Sequence, residues 1–175
     1  MRKLKNEELQ RPSVEEFKSQ KKNQVIVVLD NVRSLNNVGS AFRTSDAFNI
    51  EKIYLCGITG KPPHRDIHKT ALGATDSMAW EHVSNTVELV EQLQADGWTV
   101  LAVEQVEGAT RLDKFEPAVG GKYCFIFGNE VFGVEQDVVS ASDGCLEIPQ
   151  FGTKHSLNIS VTIGVVLWHY VRAMI

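Results

Sequence analysis

Apolar residues recur along this chain in two rhythms. Val25 to Leu29, Trp98 to Val103 and Tyr123 to Phe127 are short, nearly continuous apolar runs. A strand covered on one face alternates apolar with polar residues, so unbroken runs predict strands buried on both faces of a parallel sheet. Lys52 to Cys56 is read as a further strand, with shorter ones at Met78 to Val83 and at Cys145 to Ile148, where Pro149 stops the run. Between them apolar residues fall three and four apart. Val38, Ala41, Phe42 and Ser45 predict the inner face of a helix from about Val38 to Phe48. Asn85 and Glu88 read as a capping box opening a second helix through Leu89, Leu93 and Ala95 to Gly97. Helical pattern resumes over Glu135 to Ala141, and Leu157, Val161, Val165 and Trp168 recur at helical spacing along an apolar final helix. Strands alternating with helices predict an α/β fold built on an open, mostly parallel sheet with helices on both faces.

Residues 1–23 are expected to form a partly helical basic arm and residues 24–175 one domain. In the arm Leu4, Leu9, Val14 and Phe17 are the apolar anchors, and Ser13 with Glu16 marks a capping box after Pro12. Gly60 to Gly73, with Pro62-Pro63, reads as the longest irregular stretch, and Glu104 to Gly121 as loop without evident chemistry.

Composition narrows the class. A chain of 175 residues with 43% hydrophobic content suits one soluble globular domain. No apolar run is long enough to span a bilayer, and the polar first two dozen residues do not resemble a signal peptide, so a cytoplasmic location is expected. Cys56, Cys124 and Cys145 lie far apart in apolar strands, which points to buried hydrophobes in place of disulfides or zinc. His64 and His68 are four apart but lack a third ligand, and no metal is expected. The net charge of −4 weighs mildly against a nucleic-acid partner. It is unevenly spread, however: Arg2, Lys3, Lys5, Arg11, Lys18, Lys21 and Lys22 crowd the arm, a distribution that suits a phosphate backbone or a solvated helix equally.

Three stretches carry polar groups to the ends of strands. Asp30 to Asn37 is a polar loop before the first long helix, and that helix carries Arg43, which ordinary helix pairing would set against Asp46 three residues on. Gly128 to Val134 follows a buried strand with a glycine near each end, as a tight turn or a ligand-approaching loop requires. Gln150 to His155 is a polar loop with one glycine, followed by Ser156-Leu157-Asn158 at the loop-to-helix junction, where side-chain oxygens and free backbone N–H groups gather. No strand is followed by Gly-x-Gly-x-x-Gly, which argues against a dinucleotide site.

In chain order these stretches resemble the three motifs of the SpoU (TrmH-like) RNA 2′-O-ribose methyltransferases of the SPOUT superfamily. Asn37-Val38-Gly39-Ser40-Ala41-Phe42-Arg43-Thr44 resembles the first, Phe127-Gly128-Asn129-Glu130-Val131-Phe132-Gly133 the second, and Ile148-Pro149 through Gly152 to Ser156-Leu157-Asn158-Ile159-Ser160 the third, with Ile159 where the family has valine. Lys69-Thr70-Ala71-Leu72-Gly73-Ala74 is also similar to a segment of such proteins. The resemblance implies a C-terminal trefoil knot, an exception to the rule of unknotted connections. It implies a homodimer with its active sites at the interface. S-adenosylmethionine would be the cofactor, bound around Phe127, Gly128, Ile148, Leu157 and Asn158. Arg43, Asn37, Glu130, Ser156 and Asn158 would form the reaction centre, with Arg43 stabilising an alkoxide and Glu130 positioning the network. The substrate would be RNA, tRNA ahead of rRNA, since the extra N-terminal domain of many rRNA-directed relatives is not evident. The competing readings are a catalytically silent RNA-binding module on the same fold, against which the full residue set speaks, and an unrelated small-molecule α/β enzyme.

Overall fold

The computed structural model describes residues 1–175. One sheet contains β1 (Asn23–Asp30), β2 (Ile50–Cys56), β3 (Trp80–Val83), β4 (Thr99–Val103), β5 (Thr110–Arg111), β6 (Tyr123–Phe127) and β7 (Gly144–Glu147). Their spatial order is β3-β2-β1-β6-β4-β7-β5, and each neighbouring pair is parallel. The carboxyl ends of all seven strands therefore lie along one edge, where α/β sheets place ligands. The helices are α1 (Val14–Ser19), α2 (Leu35–Ala47), α3 (Arg65–Ala71), α4 (Ala74–Ser77), α5 (Thr86–Ala95), α6 (Gln136–Ala141) and α7 (Ile159–Arg172).

Side-chain alternation in the central strands explains why helices cover both faces. Val25, Val27 and Leu29 of β1 join a core with Val38 and Phe42 of α2, Ile67 of α3 and Ile163 of α7. Ile26 and Val28, pointing the other way, join Leu89, Val90 and Leu93 of α5 and Val138 of α6. Burying one such side chain stabilises the fold by about 1.5–3 kcal/mol. An exposed ion pair such as Arg111–Asp113 is screened by water and adds little, so the two apolar layers decide the architecture. No helix is long and apolar enough to cross a membrane.

Several local expectations need correction. Gly60 to Gly73 is not wholly irregular, because α3 begins immediately after the prolines. His64 caps it, its Nδ1 accepting the Asp66 N–H at 3.1 Å, and Ile67 and Ala71 bury its inner side. Of the arm's four apolar anchors only Phe17 is buried; Leu4, Leu9 and Val14 are exposed. The Ser13–Glu16 capping box does form, whereas Glu88 bonds the side-chain amide of Asn85 and leaves that second box open. α2 starts at Leu35, so Asn36 and Asn37 lie in its first turn. Cys145 is only half-buried, unlike Cys56 and Cys124.

The largest revision concerns α7. Leu157 precedes the helix, and Val161, Val165 and Trp168 stand 51%, 38% and 52% exposed. The core is met by Ile159, Ile163, Val166, Leu167 and Tyr170. The helix is apolar nearly all round, and the stripe read from its spacing faces outward.

Candidate active site

Three connections from the carboxyl edge build one cavity of about 590 Å³, within the range of small-molecule sites. The end of β4 supplies Val103, Glu104 and Gln105; the β6–α6 connection supplies Phe127 to Gly133; the β7–α7 connection supplies Ile148, Gln150 and His155 to Asn158. All five expected cofactor-binding residues, Phe127, Gly128, Ile148, Leu157 and Asn158, line it, as do Glu130 and Ser156. The floor is apolar, from Val103, Phe127, Leu146 and Ile159, and the polar groups stand among the loops. This donor set fits an adenosyl group, which needs apolar contact for the base and hydrogen-bond partners for the sugar.

Gly128 lets the β6–α6 connection close on itself. A Cβ there would lie 2.0 Å from the Gly133 carbonyl carbon and 2.1 Å from the Val134 nitrogen, so only glycine lets the loop fold back on the strand end. Asn129 fixes the loop's turn. Its Oδ1 accepts the Val131 and Phe132 N–H groups at 2.9 and 3.2 Å, while its Nδ2 donates to the Asn31 carbonyl at 2.8 Å.

Glu130 reaches across to α2. Its carboxylate accepts the backbone N–H groups of Arg33 at 3.1 Å and Ser34 at 2.9 Å, and the Asn37 side-chain amide at 3.0 Å. Partial burial alone would raise its pKa, but hydrogen bonds from Asn37, its own backbone, Ser34 and Arg33 outweigh that and hold it below the ordinary carboxylate value. A carboxylate so committed is a poor proton acceptor. It is a brace that joins the second motif to the first.

Asn158 caps α7: its Oδ1 accepts the Ser160 N–H at 2.8 Å and the Ser160 hydroxyl at 2.6 Å. Its oxygen is thus committed while its amide donors are not. Arg43 is the exception among the expected catalytic residues. It is exposed, makes no ion pair, and does not line the cavity of its own chain. The expected pairing with Asp46 is absent, for Asp46 instead accepts the Ser77 hydroxyl. Six helical residues separate Arg43 from Asn37, about 9 Å along the axis of α2.

The residues missed in the sequence are Glu104 and Gln105. Glu104 Oε2 accepts the Val134 N–H at 3.0 Å and Oε1 the Gln105 N–H at 2.8 Å, while Gln105 Nε2 donates to the His155 carbonyl at 2.7 Å. They tie all three cavity loops together. Their only signal in the sequence is position, polar residues directly after a buried parallel strand.

Comparison with known proteins agrees with this geometry. Relatives include the 23S rRNA (guanosine-2′-O-)-methyltransferase RlmB of Vibrio parahaemolyticus, 26% identical over 94% of this chain and 66% of its own. The tRNA (guanosine(18)-2′-O)-methyltransferase of Thermus thermophilus is 29% identical over 94% of this chain and 83% of its own. The chain thus spans just under two thirds of the RlmB relatives it matches. Among solved structures, the A. aeolicus TrmH/SpoU tRNA modifying enzyme superposes with a TM-score of 0.81 at 24% identity, over 91% of this chain and 80% of that one. The AdoMet-bound rRNA methyltransferase of Sinorhizobium meliloti gives 0.81 at 24%, over 89% and 58%. The model of the SpoU rRNA Methylase family matches residues 24–168, and the chain belongs to that family.

Proposed function

We propose that this chain methylates a ribose 2′-hydroxyl in RNA using S-adenosylmethionine, with tRNA as substrate ahead of rRNA. The observation that carries the reading is the joining of the motifs: Glu130, Ser156 and Asn158 line one cavity, and Glu130 holds Asn37 at 3.0 Å. The tRNA preference is supported by the 29% identity to the Thermus tRNA enzyme, beside 26% to RlmB.

When bound, S-adenosylmethionine supplies a methyl group on a positively charged sulfur. The residues around it have two tasks, because a ribose hydroxyl is a poor nucleophile: its developing negative charge must be stabilised while its proton passes to solvent water, and its oxygen must be held in line. Phe127, Ile148 and Leu157 would hold the cofactor's apolar part, and the Gly128 loop would supply backbone hydrogen-bond partners. Asn158 has amide donors left to orient the substrate ribose, with Ser156 beside it. Arg43 stabilises the developing alkoxide and pins the adjoining phosphate; a guanidinium retains its proton and is no general base. Glu130 positions Asn37.

The active unit in this reading is a homodimer with its sites at the interface. Two features support it: Arg43 lies outside its own chain's cavity, and α7, which Asn158 opens, exposes Val161, Val165 and Trp168. The resemblance adds a C-terminal knot, with the 148–158 connection and α7 passing through an earlier loop. The Gln105–His155 bond ties that connection to the loop after β4. In this reading the enzyme works in the cytoplasm, on RNA found there.

The test is transfer of labelled methyl from S-adenosylmethionine to unmodified total RNA separated by size, with Arg43→Lys and Arg43→Ala alongside. Label in the tRNA band, lost in both variants while cofactor affinity holds, is expected. Label in the large RNAs moves the substrate to rRNA. Cofactor binding with no label in any band supports the silent-module reading, and near-normal turnover by Arg43→Lys removes Arg43 from the mechanism.

A further inference from the structure

The arm and α3 both carry basic residues and share one apolar layer, through Phe17 and Ile67, but they meet the sheet at opposite ends of its strands. The arm feeds the amino end of β1. Lys22 is engaged there, donating to the Phe17 carbonyl, lying over the Phe17 ring, and bonding Asn49 Oδ1 at 2.9 Å just before β2 begins. Arg2 is also engaged, in a pair with Glu8. The eight residues of β1 put the amino edge about 25 Å from the carboxyl edge, where the cavity opens. Within one chain the arm sits at the wrong end.

The segment from Lys61 to Lys69 sits at the right end. The loop that carries Lys61 is bonded to the connection leading into α2. Thr59 Oγ1 accepts the Val32 N–H at 2.9 Å, and the Ile58 N–H donates to Asn31 Oδ1 at 3.1 Å. α3 then packs against the first turns of α2. Thr70 donates to the Asn36 carbonyl at 2.9 Å, one residue from Asn37, which Glu130 holds. Helical geometry sets Arg65 and Lys69, four apart, opposite the buried Ile67 and Ala71. Lys61, Arg65 and Lys69 are exposed and none is in a salt bridge; Asp66 is the one acid between them.

We infer that Lys61, Arg65 and Lys69 form the surface on which the RNA phosphate backbone docks, setting the nucleotide's approach to the Asn37–Glu130 end of the cavity. This rests on the reading of the chain as an RNA ribose methyltransferase. An otherwise acidic body concentrates a polyanion where cations are unpaired, and phosphate contacts of this kind release counterions and so make binding salt-dependent. A structured RNA reaches the cavity from this side by its backbone, leaving the target ribose free to enter.

The experiment measures the affinity of bulk tRNA by fluorescence anisotropy over a series of KCl concentrations. It compares the wild type, the triple variant Lys61→Ala, Arg65→Ala, Lys69→Ala, and the arm variant Arg2→Ala, Lys3→Ala, Lys5→Ala. The affinity of each for S-adenosylmethionine is measured in parallel. The α3 triple variant is expected to bind tRNA at least about tenfold more weakly near 0.1 M salt, with the log–log salt slope shallower by about two. Its cofactor affinity should stay at the wild-type value, and the arm variant should keep both properties. Lys69→Glu, at an exposed position opposite the buried side of α3, should weaken tRNA binding in the same direction. Unchanged tRNA affinity and slope in the α3 variants overturn the inference, as does an equal loss in the arm variant. A wild-type chain that binds cofactor yet neither binds tRNA nor methylates any RNA overturns the functional reading, and this surface with it.

Discussion

At the scale of single residues, the site divides into groups that touch ligand and groups that hold them. Glu130 belongs to the second kind, since each of its oxygens already accepts backbone or amide hydrogen. Its depressed pKa gives a signed expectation. A carboxyl held below its ordinary value is charged in the folded chain throughout the neutral range, and its contribution fades only as pH falls through that lowered value. The rate profile between about pH 5.5 and 9 should therefore carry no ionisation from Glu130. Glu130→Gln should lower kcat/KM at every pH in that window. One of its oxygens becomes a donor facing backbone N–H groups, which costs about 1–3 kcal/mol, or roughly five- to hundredfold. A profile whose acid limb vanishes in Glu130→Gln would instead make this carboxylate the titrating base. Arg43 shows what residue-level reading supplies and where it stops. Spacing offered Asp46 as its partner, and only the fold shows Asp46 turned toward Ser77 of α4.

Whole elements were legible in proportion to how unambiguous their burial is. β1, β4 and β6 are covered on both faces, so their apolar runs had one interpretation. α3 was hidden because it is short, has two buried anchors, and follows a Pro-Pro pair that reads as loop. α7 was found but turned over, because a helix apolar all round offers two equivalent stripes and periodicity cannot choose between them. The packing of α3 on α2 depends on Gly39 of the first motif. A Cβ there would stand 2.1 Å from Thr70 Oγ1 and 2.3 Å from the Ile67 carbonyl oxygen. The hydroxyl can swing aside; the backbone oxygen cannot. Gly39→Ala should therefore cost about 1–3 kcal/mol, read as a lower urea midpoint with an unchanged slope. An unshifted midpoint would show that the two helices separate freely.

At the scale of the whole molecule, Arg43 stands apart from the rest of the site. Glu130, Ser156 and Asn158 line the cavity of their own chain, and Arg43 does not. α2, which carries Arg43, packs against α7, whose Val161, Val165 and Trp168 are uncovered. Three large apolar side chains on one helix face are a natural seam for a two-fold pair, and pairing through it presents each α2 to the partner's α7. If Arg43 acts on the partner's cavity, two inactive variants should rescue each other. Arg43→Ala keeps its cavity, and Asn158→Ala keeps its arginine. Refolded together in equal amounts, half of the dimers are mixed and each holds one complete site, which restores about a quarter of wild-type activity. If Arg43 serves its own chain, no mixed dimer contains a complete site and the mixture stays as inactive as its parents. Trp168→Glu on both partners should abolish any rescue by dispersing the dimer, with molar mass from light scattering falling to that of one chain. A mixture that remains silent while light scattering shows dimers would assign Arg43 to its own subunit and demand that α2 bring it in on substrate binding.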